Sequence, residues 1–219
     1  VRTAAEPGAR ERILTAAGEL FYEHGFHSVG IDLVIRRSGV AKATLYRHFP
    51  TKDDLIVAYL IDADAAFVRW FDDSTPHHAA TVDVIGGLFD AASELAGASS
   101  CLGCAFQIAA AEFPSLRHPV HAAALAHKSA IRTRLQELAV ATGAPEPHRL
   151  ADGLLLLLDG AFAASRMFGP ENPSRSLGAA ARALVEQALD EQAPTDAPRG
   201  NSRRNGRGNS RGSGRRGGT

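Results

Sequence analysis

From Ala9 the apolar positions return every three or four residues: Ile13, Ala17 and Leu20 share a face with His24, and Leu14 and Phe21 lie beside them. This spacing predicts an amphipathic helix, and Gly25 supplies its stop. Two short helices are predicted next, at about 31–38 and 41–48, separated by Gly39 and closed by Phe49-Pro50. Thr51-Lys52-Asp53-Asp54 matches a capping box, with Thr51 as the cap and Asp54 three residues on. A long helix therefore starts there, and Leu55, Tyr59, Ala63, Phe67 and Phe71 recur along it every fourth residue. Further helical segments are predicted at about 79–97, 103–112, 118–142, 146–168 and 174–191, with breaks at Ser74-Thr75-Pro76, 97–100, Phe113-Pro114, 143–145 and Gly169-Pro170.

Alanine and leucine dominate these segments, and no run of β-branched or aromatic residues alternates at period two. The expected class is all-α, with about nine helices. Apolar residues are 45% of the sequence, enough for most of the chain to fold. Residues 1–8 lack periodicity and read as a flexible arm. From Pro198 onward the chain becomes a Gly, Arg, Asn and Ser tail with nothing to bury, and disorder is expected over 193–219.

Zero net charge conceals a division. Residues 199–219 hold seven Arg and no acid, so the remainder carries 17 basic against 24 acidic residues. Any contact with nucleic acid by the folded part must then be a local patch. The most apolar run, Leu154 to Leu158, lies between Asp152 and Asp159 and is far shorter than the roughly 18 residues of a membrane span. No segment has the pattern of a signal peptide, and the expectation is a soluble, cytoplasmic protein without a membrane partner.

Two short helices joined at a glycine and braced by a preceding helix make a helix-turn-helix, whose second helix enters the major groove. The series Gly25-Phe26, Ile31-Asp32, Ser38-Gly39-Val40-Ala41-Lys42-Ala43-Thr44-Leu45-Tyr46-Arg47-His48-Phe49 and Lys52 resembles the TetR family of transcription regulators over about residues 10–60. Val40, Leu45 and Phe49 are spaced to pack inward, leaving Lys42, Thr44, Tyr46, Arg47 and His48 around another face. Lys42 can reach a phosphate or a guanine edge, and the Thr44 and Tyr46 hydroxyls suit phosphate oxygens. The resemblance implies backbone contacts at or beside Thr44, Tyr46, His48 and Lys52. Arg47 is the candidate for reading a base. One departure is Val29-Gly30, where many relatives place a Thr or Ser cap; Gly30 caps weakly and Asp32 favours the helix N-terminus.

The resemblance also implies an organisation: a reading domain over 9–52, with its helix-turn-helix at about 30–49, and a ligand-binding and dimerisation domain over 53–192. It implies a homodimer on a palindromic operator, paired through 146–168 and 174–191, where Ala151, Gly153, Gly160, Ala161, Ala164, Ala179, Ala180 and Ala183 permit close helix approach. A small apolar effector that releases a repressor from DNA is expected in the second domain, and Phe67, Trp70, Phe71, Phe89, Phe106, Phe113, Phe162 and Met167 are the candidate lining. No enzymatic constellation, cofactor or metal set is visible. Cys101 and Cys104 form a C-x-x-C before a helix, which leaves open a redox- or metal-responsive regulator. The pair His118 and His121 is too small a ligand set for a metal. The tail strings 208–212 and 212–217 imitate G-x-S-x-G and G-x-G-x-x-G but lack the strand and helix those motifs need. A flexible Arg-rich tail also leaves open an RNA-associated helical protein.

Overall fold

The computed structural model describes residues 7–75 and 82–191. The expected tail, and all but the end of the expected arm, lie outside the described residues. Among the described residues nine α-helices follow one another: α1 (Ala9–His24), α2 (Ile31–Ser38), α3 (Lys42–His48), α4 (Lys52–Ser74), α5 (Val82–Gly97), α6 (Ala105–Glu112), α7 (Pro119–Ala141), α8 (Pro147–Phe168) and α9 (Leu177–Asp190). Two 3-10 turns, Gly169–Glu171 and Pro173–Ser176, join α8 to α9. The described residues contain no strand, and none of their helices is long and apolar enough to cross a membrane.

Local chemistry sets the boundaries. Thr51 Oγ1 accepts from the Asp54 amide at 3.0 Å while the Asp54 carboxylate accepts from the Thr51 amide at 3.0 Å, so the capping box starts α4 as expected. Gly39 closes α2 with φ of 66°, a left-handed conformation that any Cβ would penalise. Gly30 opens α2 through its carbonyl, which accepts from Leu33 at 3.0 Å, with no side-chain cap. The sixth helix begins at Ala105 rather than 103, because Gly103 is at positive φ and Cys104 is the extended residue before the first turn. Residues expected to open α9 instead form a 3-10 turn, held by the Asn172 side chain accepting from the Ser174 amide at 2.8 Å.

The apolar interior divides into two clusters. One gathers Ile13, Phe21, Phe26, Val34, Leu45 and Phe49 with Leu55, Ile56 and Leu60 of α4, and continues into Phe106, Ala109 and Phe113 of α6 and Val120 and Ala124 of α7. The other joins Phe71, Phe89, Ile131, Leu135, Leu154, Phe162 and Val185 from α4, α5, α7, α8 and α9. Both α4 and α7 run through the two clusters. The cores therefore divide partway along these helices rather than at Lys52.

Candidate nucleic-acid interface and cavity

Helix α3 turns Leu45 fully inward, flanked by buried Val40 and Phe49. That leaves Lys42, Tyr46, Arg47 and His48 exposed and Thr44 half-buried on a face that no other helix covers among the described residues. Lys42 Nζ lies 3.5 Å from the Asp32 carboxylate, an exposed pair that costs little to break. Lys52 is more enclosed: its ammonium donates to the His27 carbonyl at 3.4 Å, and burial lowers its pKa against the opposing pull of Glu112. Neighbouring charges steady the scaffold, with Arg37 donating to Glu19 at 2.9 Å and the Arg10 guanidinium 5.5 Å over the Phe49 ring.

A largely apolar cavity of about 210 Å³ opens behind this head, lined from α1 by Tyr22, from α4 by Ala63 and Phe67, and from α7 by His127, Lys128 and Ile131. Cys101, Gly103 and Cys104 of the loop before α6, Ala105 and Phe106 of α6, and Leu158 and Phe162 of α8 complete most of the wall. Gly103 holds this loop at φ of 98°, and a Cβ there would meet the Phe162 carbonyl at 3.2 Å. The Tyr22 hydroxyl donates to the Gly103 carbonyl at 2.9 Å and accepts from the Leu102 amide at 2.9 Å, and burial pushes its pKa upward. Cys101 and Cys104 are free thiols, with Cys101 Sγ 3.3 Å from Ser165 Oγ. Among the described residues no group of three His, Cys, Asp or Glu side chains could hold a metal.

Of the eight aromatic and Met positions expected around a cavity, Phe67, Phe106 and Phe162 line it. Trp70 packs against Phe67 with ring centroids 5.0 Å apart, outside the wall. Phe71 and Phe89 are interior residues of the second cluster. Phe113 belongs to the far end of α6, its ring 4.6 Å from that of His27. Met167 is 76% exposed. It follows Phe162 by five residues and so points about 140° away around the same helix.

Four residues of this region carry chemistry that the pattern did not single out. His127, Asp64 and Tyr22 surround or support the cavity, and Glu112 holds the reading head. The Glu112 carboxylate accepts from the Phe26 amide at 3.1 Å and the His27 amide at 2.6 Å, while the His27 ring bonds the Glu112 carbonyl at 2.9 Å. Helix α6 thus begins at the cavity wall and ends clamped to the turn between α1 and α2. His127 was traceable as the polar member of the stripe Val120, Ala124, His127, Ile131 and Leu135, whereas Glu112 has no signal in its neighbours.

The model for "Bacterial regulatory proteins, tetR family" matches residues 13–59. A TetR-family transcriptional regulator from Streptomyces coelicolor superposes with a TM-score of 0.74 and 36% identity, covering 84% of this chain and 95% of that one. The regulator UidR of Escherichia coli is 39% identical over 71 residues, 32% of this chain and 36% of UidR. The activator FasR of Mycolicibacterium smegmatis is 43% identical over 51 residues, 23% of each chain. The matched segment thus spans about a third or less of these two curated relatives' length. The likeness to the Streptomyces regulator, by contrast, runs through head and cavity alike, and the chain belongs to the TetR family of transcriptional regulators.

Proposed function

We propose that the chain works as a homodimeric repressor whose α3 reads a palindromic operator and whose cavity takes a small effector that lowers operator affinity. The observation carrying this reading is the path from cavity to head: Phe106 lines the cavity, and Glu112 of the same eight-residue helix grips the turn before α2. Lys42, Thr44, Tyr46, His48 and Lys52 contact phosphate oxygens in this reading, and Arg47 reaches a base edge. One helix per chain covers few base pairs, so a two-fold site needs two copies at a fixed separation.

The pairing surface is the outer face of α8, where Leu156 and Met167 are 72% and 76% exposed and Gly160 and Ala163 lie between them, together with exposed Ala180 and Ala183 of α9. Exposed apolar residues in such a row fit association better than solvation. The effector acts only through its differential affinity for the free and DNA-bound forms, and operator DNA weakens effector binding by the same factor. Selecting bound fragments from the source genome, then measuring sedimentation with and without the selected duplex, tests the reading. A dimer bound to a repeated half-site is expected; a monomer both in solution and on DNA would overturn it.

A further inference from the structure

The cavity wall holds a buried polar group whose lone pair the fold leaves unused. His127 is 4% exposed, and the Phe106 ring lies flat on its imidazole at 3.5 Å between centroids and 7° between planes. Phe67 meets it edge-on at 5.2 Å. His127 Nδ1 is 2.7 Å from the Asp64 carboxylate, which can only accept when ionised, so Nδ1 carries the hydrogen. Nε2 of the neutral ring is then an acceptor. It has no hydrogen-bond partner among the described residues, yet no buried side-chain nitrogen there is left unpaired, so Nε2 is reached from the cavity. Burial lowers the His127 pKa, the Asp64 hydrogen bond opposing it, which keeps the ring in the neutral form.

Several other polar groups of the wall are engaged, while the Ser100 hydroxyl lies at an exposed edge of the wall and Cys104 is a free thiol. The Lys128 ammonium is paired with the Asp159 carboxylate. Tyr22 both donates and accepts within the protein, and the Cys101 sulfur is beside Ser165 Oγ. No unpaired cation is left in the described wall for an acid, and the buried group left with a lone pair is the His127 acceptor. Volume bounds the rest: an apolar cavity of about 150 Å³ takes benzene, so one of about 210 Å³ has room for a substituted ring.

We propose that the cavity selects a neutral, ring-bearing molecule with one hydroxyl or N–H that donates to His127 Nε2, and rejects carboxylates of the same shape. This rests on the reading of the cavity as the effector site and gives that site its ligand class. Asp64 belongs to α4, so a donor on Nε2 adds to a hydrogen-bond chain reaching the helix that follows the reading head.

Calorimetry of the full chain at about pH 8, where imidazole is neutral, compares three probes: 4-ethylphenol, ethylbenzene and 4-ethylbenzoate. The phenol should bind about tenfold more tightly than ethylbenzene, as one hydrogen bond to a desolvated acceptor provides, and the benzoate more weakly than either. His127→Phe keeps an aromatic ring and removes the acceptor, so phenol and hydrocarbon should become equal. Equal affinities on the native chain, or a benzoate preference, overturn the proposal while leaving an effector cavity in place. Failure of all three to bind overturns the cavity reading as well. Should His127→Phe fail to fold, histidine-¹⁵N spectra of the native chain read the same bond. The Nε2 resonance should move with 4-ethylphenol and stay with ethylbenzene, and no movement with either counts against the proposal.

Discussion

The candidate reading face draws Lys42, Thr44, Tyr46 and Arg47 from a single seven-residue helix, whereas the cavity assembles side chains from α1, α4, α5, α6, α7 and α8 and from the loop before α6. A face made by one short helix needs only that helix to be seated, and Leu45, Val40 and Phe49 do this from within the same ten residues. This cavity needs six helices in register, so its shape depends on packing far along the chain. Its polar groups also work at higher stakes than those of the head. An exposed Lys42–Asp32 pair exchanges readily with water, while the Asp64–His127 bond fixes which nitrogen of a buried, ring-packed imidazole faces the cavity.

The largest expected effect asks whether the two regions fold apart. Phe21→Ala in the first cluster and Phe89→Ala in the second each remove a fully buried ring and should cost about 3–5 kcal/mol. Because α4 and α7 thread both clusters, each substitution should lower one shared unfolding transition. Two separate transitions by calorimetry would make head and cavity independent units. Glu112→Gln comes next. It weakens acceptance from the Phe26 and His27 amides and should cost roughly 1–3 kcal/mol. It should also shrink the change in operator affinity that a cavity ligand produces, read by titrating DNA with and without 4-ethylphenol.

Arg47→Ala should cost about 1–3 kcal/mol of operator binding and relax preference at one or two base positions. Thermal stability should stay within roughly 0.5 kcal/mol, since the side chain is exposed. Tyr46→Ala should weaken all sequences alike, and an unchanged base preference in Arg47→Ala would reassign that residue to phosphate. The smallest effect concerns pH. Burial holds the folded-state pKa of His127 below its ordinary 6.5, and Asp64 of α4, Lys128 of α7 and Asp159 of α8 are the charged groups acting on it. The fold thus favours the neutral ring, and its contribution is complete above about 6.5 and lost as pH falls through the depressed folded value. His127→Phe should flatten that part of the stability curve; an unchanged curve would remove His127 as its source.

This contrast also explains what the sequence disclosed. The helix-turn-helix was legible because Gly39, Leu45 and Phe49 are near neighbours whose spacing directly encodes a turn and a buried face. The α4 start was legible for the same reason, through Thr51 and Asp54. Of the cavity wall, periodicity exposed only residues large enough to attract notice, and could not separate Phe67 and Phe162, which line it, from Phe71 and Phe89, which fill the core. The distinction depends on where α4, α5 and α8 cross. Asp64 and His127 lie 63 positions apart, and the bond between them is a property of the α4–α7 contact alone.

The brevity of α6 has a consequence for how such a molecule diversifies. From Phe106 to Glu112 the helix advances six residue steps, about 9 Å, too short to bend appreciably. In the function proposed above, transmission is thereby separated from selectivity: the clamp on Phe26 and His27 would ask only that the rod move, not what moved it. On that proposal, substitutions at Phe67, His127 or Phe162 would retune what is sensed while the wiring to the head stays as it is, so new specificities would be reachable one wall residue at a time.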